Sequence, residues 1–121
     1  MTDHQIPQHE VTAFATDAVI LDVREANEFA AGHVPGAVWI PLGELRSRAD
    51  EVPAVDGVLP VICRSGVRSQ KAAEFLAGLG VATANVVGGT AAWLAAGRPL
   101  VSETGELPAV VAPTTQPPAA I

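Results

Sequence analysis

The sequence predicts a single α/β domain, an open parallel sheet flanked by helices on both faces. Three observations predict it. Short apolar runs alternate with segments of helical period, glycines and prolines sit at the joins, and 121 residues with 49% hydrophobic content suit one compact core. Ala18-Val19-Ile20-Leu21 is an apolar run of strand length, and Asp22 falls where that strand should end. Residues 25–31 follow as a short helix closed by Gly32. A second strand spans 37–40 between Pro35-Gly36 and Pro41, and 42–48 reads as another short helix. The next strand covers 59–62, although Pro60 removes a ladder donor and would let that strand begin only at Val61. A helix is predicted over 69–79, with Ala72, Phe75, Leu76 and Leu79 at i, i+3, i+4 and i+7 and Gly80 as its stop. A further strand at 85–87 and a helix at 90–96, separated by Gly88-Gly89, complete the alternation.

The boundaries that follow are an N-terminal extension at 1–10, the domain at 11–101 and a tail at 102–121 rich in Pro, Ala and Thr, whose composition suits disorder. A formal net charge of -6, with seven scattered basic residues, excludes the electrostatic footprint of a nucleic-acid binder. No charge occurs from Phe75 to Gly97, but the glycines and Asn85 there argue against a membrane span. MTDHQIPQHE has neither a basic segment nor an apolar run, so the expected location is the cytoplasm. A lone cysteine, Cys63, cannot form an internal disulfide. It is either a small packed residue or a reactive thiol.

The residues after it separate those alternatives. In an open parallel sheet, ligands bind beyond the carboxyl ends of the strands, and Cys63 is predicted at such an end, just before a helix. Arg64, Ser65, Gly66, Val67, Arg68 and Ser69 can curl so that successive N–H groups point inward, a nest for an anion reinforced by the helix N-terminus. Gly66 permits the tight curl. Arginines, serines and a glycine are poor core material. Amide donors and guanidinium groups around a thiol favour its thiolate, the nucleophilic form.

The segment CRSGVRS, preceded by LDVREANEFAAGHVPGAVWIPL and followed by NVVGGTAAWLAAGRPLV, resembles a single-domain rhodanese, a thiosulfate-type sulfurtransferase, over roughly Val11 to Val101. The cysteine loop is the most specific part of the match, the Asp-x-Arg, Gly-His and Gly-Ala elements are specific together, and Gly-Gly with Trp is weak alone. Pro60 and Val67 depart from the family's pattern, and neither touches the nucleophile. The resemblance implies a rhodanese-like open parallel sheet with the cysteine opening its loop. It also implies ping-pong transfer of a sulfane sulfur through a Cys63 persulfide, from a thiosulfate-like donor to a thiol or cyanide. Cys63 is the expected catalytic residue, and residues 64–69 the expected substrate-binding loop, with Arg64 and Arg68 attracting the anionic donor. No metal and no cofactor beyond the covalent sulfur is expected, and no membrane partner.

A persulfide carrier or binding module serving a protein partner is the alternative. A cysteine-based phosphatase or arsenate reductase is a third reading, disfavoured because only Arg64, Ser65, Gly66 and Val67 separate Cys63 from Arg68, a loop one residue shorter than those enzymes use. His33 is expected to be structural, because a thiolate needs no general base. Asp22, Arg24 and Glu28 read as an ion-pair and capping set, and Trp39 and Trp93 as core residues.

Overall fold

The structure is a computed structural model that describes residues 5–117 and 121. Its strands are β1 (Gln8–Glu10), β2 (Leu21–Asp22), β3 (Val38–Trp39), β4 (Leu59–Ile62) and β5 (Thr83–Val87). Its α-helices are α1 (Ala26–Ala31), α2 (Leu42–Leu45), α3 (Val67–Gly78) and α4 (Gly89–Ala95). All strand pairs are parallel, in the order β1-β5-β4-β2-β3.

Side chains alternate across β4, as they must in a strand. Leu59, Val61 and Cys63 join Leu21, Val23, Leu42, Leu45, Ala72, Ala73 and Leu76 in one core, which packs α2 and α3 on that face. Ile62 joins Ile20, Val86, Val11 and Trp93 in a second core, which packs α4 on the opposite face. Helices therefore cover both sides of the sheet, the arrangement parallel strands require. Among the described residues, no helix is long and apolar enough to cross a membrane.

Pro60 lies inside β4, paired with Ala84. Leu59 N–H bonds Ala82 O, on the β5 side, so the neighbouring position turns its backbone toward β2. The β2 ladder begins only at Leu21 opposite Val61, so the donor that proline lacks falls where no ladder bond is made. The strand therefore starts at Leu59 and not at Val61.

Two terminal stretches depart from the sequence expectation. Gln8–Glu10, assigned to an extension, adds an edge strand to β5 in the register Gln8 to Asn85. The tail at 102–121 reads as disorder, yet its backbone is tied to α1 where it is described. Glu103 N–H donates to Ala30 O at 2.8 Å and Ala109 N–H to Ala31 O at 2.9 Å, while Asn27 contacts Ala112 O and Thr114 N. The approach is so close that a Cβ on Gly32 would lie 2.6 Å from Ala109 O. Residues 1–4 and 118–120 of both expectations lie outside the described residues.

Candidate active site

Cys63 leaves the carboxyl end of β4 and is 1% exposed, on the face that packs α3. The chain turns through Arg64, Ser65 and Gly66 into α3, and Gly66, at φ +104°, takes a left-handed conformation that a side chain would strain. That turn brings Gly66 N–H to 3.1 Å and the Ser69 hydroxyl to 3.3 Å from Cys63 Sγ. Both donors lie within the reach expected for bonds to sulfur, and a negative sulfur would strengthen them.

The loop is braced from a second direction. The N-terminal amides of α4 close over its backbone, Thr90 N–H on Cys63 O at 2.8 Å and Ala91 N–H on Arg64 O at 3.1 Å. This contact explains the second glycine of Gly88-Gly89. A Cβ on Gly89 would lie 2.2 Å from Cys63 O, and its φ of +58° is left-handed. Asn85 of β5 supplies a third brace: its Nδ2 donates to Gly66 O at 3.1 Å and to Gln8 Oε1 at 2.9 Å, and its Oδ1 accepts the Ser69 hydroxyl at 2.6 Å. Ser69 has one proton to share between Asn85 and Sγ. An open pocket of about 520 Å³ runs beside this brace, lined by Gln8, Gly66, Val67, Gln70 and Asn85 among others.

The two loop arginines have different fates. Arg68 makes a bidentate pair with Glu28, Nη1 to Oε1 and Nη2 to Oε2, each at 2.8 Å. The Glu28 side chain is 0% exposed and that of Arg68 14%. Burial works to raise the Glu28 carboxyl, but hydrogen bonds from Arg68 and the Glu25 amide outweigh it and hold the group below its ordinary value. The Glu28 hydrogen bond raises the Arg68 guanidinium in turn. Arg64 is exposed and has no side-chain hydrogen bond or ion pair among the described residues. Ser65 is exposed, and Val67 is 65% exposed on the shoulder of the loop.

Of the predicted set at the end of β2, Asp22 and Arg24 are paired at 2.7 Å and fully buried, and Arg24 also donates to Glu28 O and Gly32 O. Glu28, grouped with them from sequence, does cap α1, its Oε1 accepting the Glu25 N–H, and it finds its ion-pair partner in Arg68. His33 stacks on Phe29 at 3.7 Å, with its Nδ1 2.8 Å from Phe29 O. Trp93 is fully buried, with its Nε1 donating to Pro99 O, whereas Trp39 is only half-buried, with its Nε1 donating to Arg24 O. Among the described residues, no group of three or more His, Cys, Asp or Glu side chains could hold a metal ion.

Sequence reasoning missed Asn85 and Gly89 as parts of this site, and it singled out Glu28 without its partner Arg68. The Gly-Gly pair was the one available signal. A partner forty positions away, as Glu28 is from Arg68, leaves no mark in local pattern.

Residues 8–96 match the model of the rhodanese-like domain family. A Sulfurtransferase of Allochromatium vinosum is 34% identical over 90 residues, covering 74% of this chain and 83% of that protein. The provisionally named sulfur carrier protein YrkF of Bacillus subtilis is 45% identical over 75 residues, and there the match spans 61% of this chain but only 40% of the relative. The crystal structure of a rhodanese-related protein from Thermoplasma volcanium superposes with a TM-score of 0.64 at 38% identity, covering 69% of this chain and 84% of that one. A thiol opening a tight loop between a parallel strand and a helix, in a chain matched over this length, makes the protein a member of the rhodanese-like domain family, whose relatives include sulfurtransferases and sulfur carriers.

Proposed function

We propose that the protein is a sulfurtransferase that carries a sulfane sulfur as a persulfide on Cys63. The single observation that supports this best is the convergence of Gly66 N–H and the Ser69 hydroxyl on Cys63 Sγ, at 3.1 and 3.3 Å, within a loop closed by α4. In the first half-reaction the Cys63 thiolate attacks the outer sulfur of a thiosulfate-like donor. An Sγ–S bond forms, the donor's S–S bond breaks, and sulfite leaves with the electron pair. In the second, a thiol or cyanide attacks the outer sulfur and Cys63 leaves as thiolate. The donors around Sγ are in place beforehand, so the negative charge moving between sulfur atoms meets oriented dipoles. With one cysteine in the chain, no internal thiol can resolve the persulfide, and the acceptor must come from outside. No cofactor enters this scheme, and the cytoplasm, where acceptor thiols are reduced, suits it.

The name of the Bacillus relative favours a second reading, a carrier that receives sulfur once and gives it to a protein acceptor. Steady-state assay with thiosulfate and cyanide separates the two. Turnover of many equivalents per Cys63 is the result expected of a catalyst, and one equivalent followed by arrest is that of a dedicated carrier. Cys63-dependent hydrolysis of an aryl phosphate would instead overturn the argument from loop length.

A further inference from the structure

The site is less positive than its sequence suggests. Arg64 and Arg68 are the cations of the 63–69 loop, and Arg68 is neutralised by a bidentate bond to a fully buried Glu28. Releasing Arg68 toward a ligand would strand the Glu28 carboxylate without its charge partner in the interior, a costly state. Glu28 is further fixed by the Glu25 N–H, which donates to its Oε1 at 2.9 Å. Arg64 therefore remains the one loop cation without a partner among the described residues, on a chain of formal net charge -6. A dianion is repelled by that background twice as strongly as a monoanion, and only one guanidinium is free to offset it.

We propose that Glu28 is a specificity-determining residue: by holding Arg68 it sets the site to take its sulfur from a donor bearing at most one negative charge, a hydropersulfide, in preference to a dianion such as thiosulfate. The inference rests on the sulfur-transfer reading above. The step balances without a further reactant. The Cys63 thiolate attacks the terminal sulfur of R–S–SH, an Sγ–S bond forms, the R–S–S bond breaks, and RS⁻ leaves with the electron pair and takes the terminal proton. The products are RSH and the Cys63 persulfide anion, which Gly66 N–H and Ser69 are placed to meet.

The test is the rate at which Cys63 gains one sulfur, followed by intact mass at low ionic strength, with thiosulfate and with 2-hydroxyethyl hydropersulfide as donors. The wild type should load faster from the hydropersulfide. Glu28→Gln removes the negative charge that cancels Arg68, so its effect should scale with donor charge: about fivefold or less for the hydropersulfide and about twenty-five-fold for thiosulfate. The double variant Glu28→Gln/Arg68→Gln replaces the ion pair by a neutral amide pair of similar size. It should keep the wild-type ratio of the two rates within about twofold, whatever happens to both together. Equal acceleration of both donors in Glu28→Gln would show that the pair does not discriminate by donor charge, and a double variant that selectively loses thiosulfate loading would show that Arg68 serves the donor directly; either result overturns the inference. Loading of the wild type by neither donor would remove the sulfur-transfer reading itself, whereas faster loading by thiosulfate than by hydropersulfide would remove only this refinement.

Discussion

Two neighbouring loops leave the same edge of the sheet, one after β2 and one after β4, with Asp22 and Ile62 side by side in register. The β2 loop is filled by charge: Arg24 is fully buried, bonded to Asp22 through Nε and Nη2 and to the carbonyls of Glu28 and Gly32. Each of the three Arg24 side-chain nitrogens is bonded within the protein. The β4 loop is built around the Cys63 sulfur, and the donors beside it, Gly66 N–H and the Ser69 hydroxyl, have only sulfur or a shared acceptor to bind. One loop anchors α1 and the other turns its donors toward the Cys63 sulfur. The Arg68–Glu28 pair joins them, tying the first turn of α3 to α1.

This contrast breaks most visibly at Asp22. Asp22→Asn leaves the Arg24 guanidinium buried without its counter-charge, and removing one member of such a pair costs about 3–5 kcal/mol. Denaturant melts should show a loss of that size. A loss below about 1 kcal/mol would mean that the β2 loop is not the anchor described. Gly89→Ala comes next. Its Cβ would press on the Cys63 and Arg64 backbone in a left-handed conformation, at a cost of about 1–3 kcal/mol. Since the displaced atoms hold the thiol, sulfur loading should fall more than tenfold in protein that is still folded at the assay temperature; unchanged loading would separate α4 from the site.

The pair that joins the loops gives a pH signature. The folded-state value of Glu28 is depressed, so its contribution to stability is present above the ordinary carboxyl value of 4.5 and is lost as pH falls through the lower folded value. Acid titration of the wild type should therefore show a stability loss below about pH 4.5 that is shallower in Glu28→Gln. Parallel curves would contradict it. The smallest effect belongs to Thr90, whose buried hydroxyl has no hydrogen-bond partner among the described residues. Thr90→Val should be neutral or raise stability by up to about 1 kcal/mol, because an unsatisfied hydroxyl is exchanged for a methyl group. A clear loss would reveal a partner for that hydroxyl.

Much of the contrast was legible in the sequence. Asp22, Arg24 and Glu28 at a predicted strand end read as an ion-pair set, and CRSGVRS after an apolar strand read as a nucleophile loop. Both readings rest on local pattern, which period and turn chemistry encode directly. The pieces that stayed hidden depend on tertiary contact. Gln8–Glu10 forms a short, half-open edge strand and carries no apolar run. The stretch after Val101 docks through backbone bonds, to which side-chain composition is nearly blind. Arg68 shows its charge in the sequence but not that Glu28 cancels it, so the loop reads as more cationic than it is.

The most direct measurement is the intact mass of the wild type and of Cys63→Ser, each treated with a sulfane-sulfur donor, thiosulfate or a small hydropersulfide, and then freed of reagent. The account predicts a gain of one sulfur atom in the wild type alone, reversed by cyanide. No gain from either donor across pH, or an equal gain in Cys63→Ser, would contradict a persulfide at Cys63.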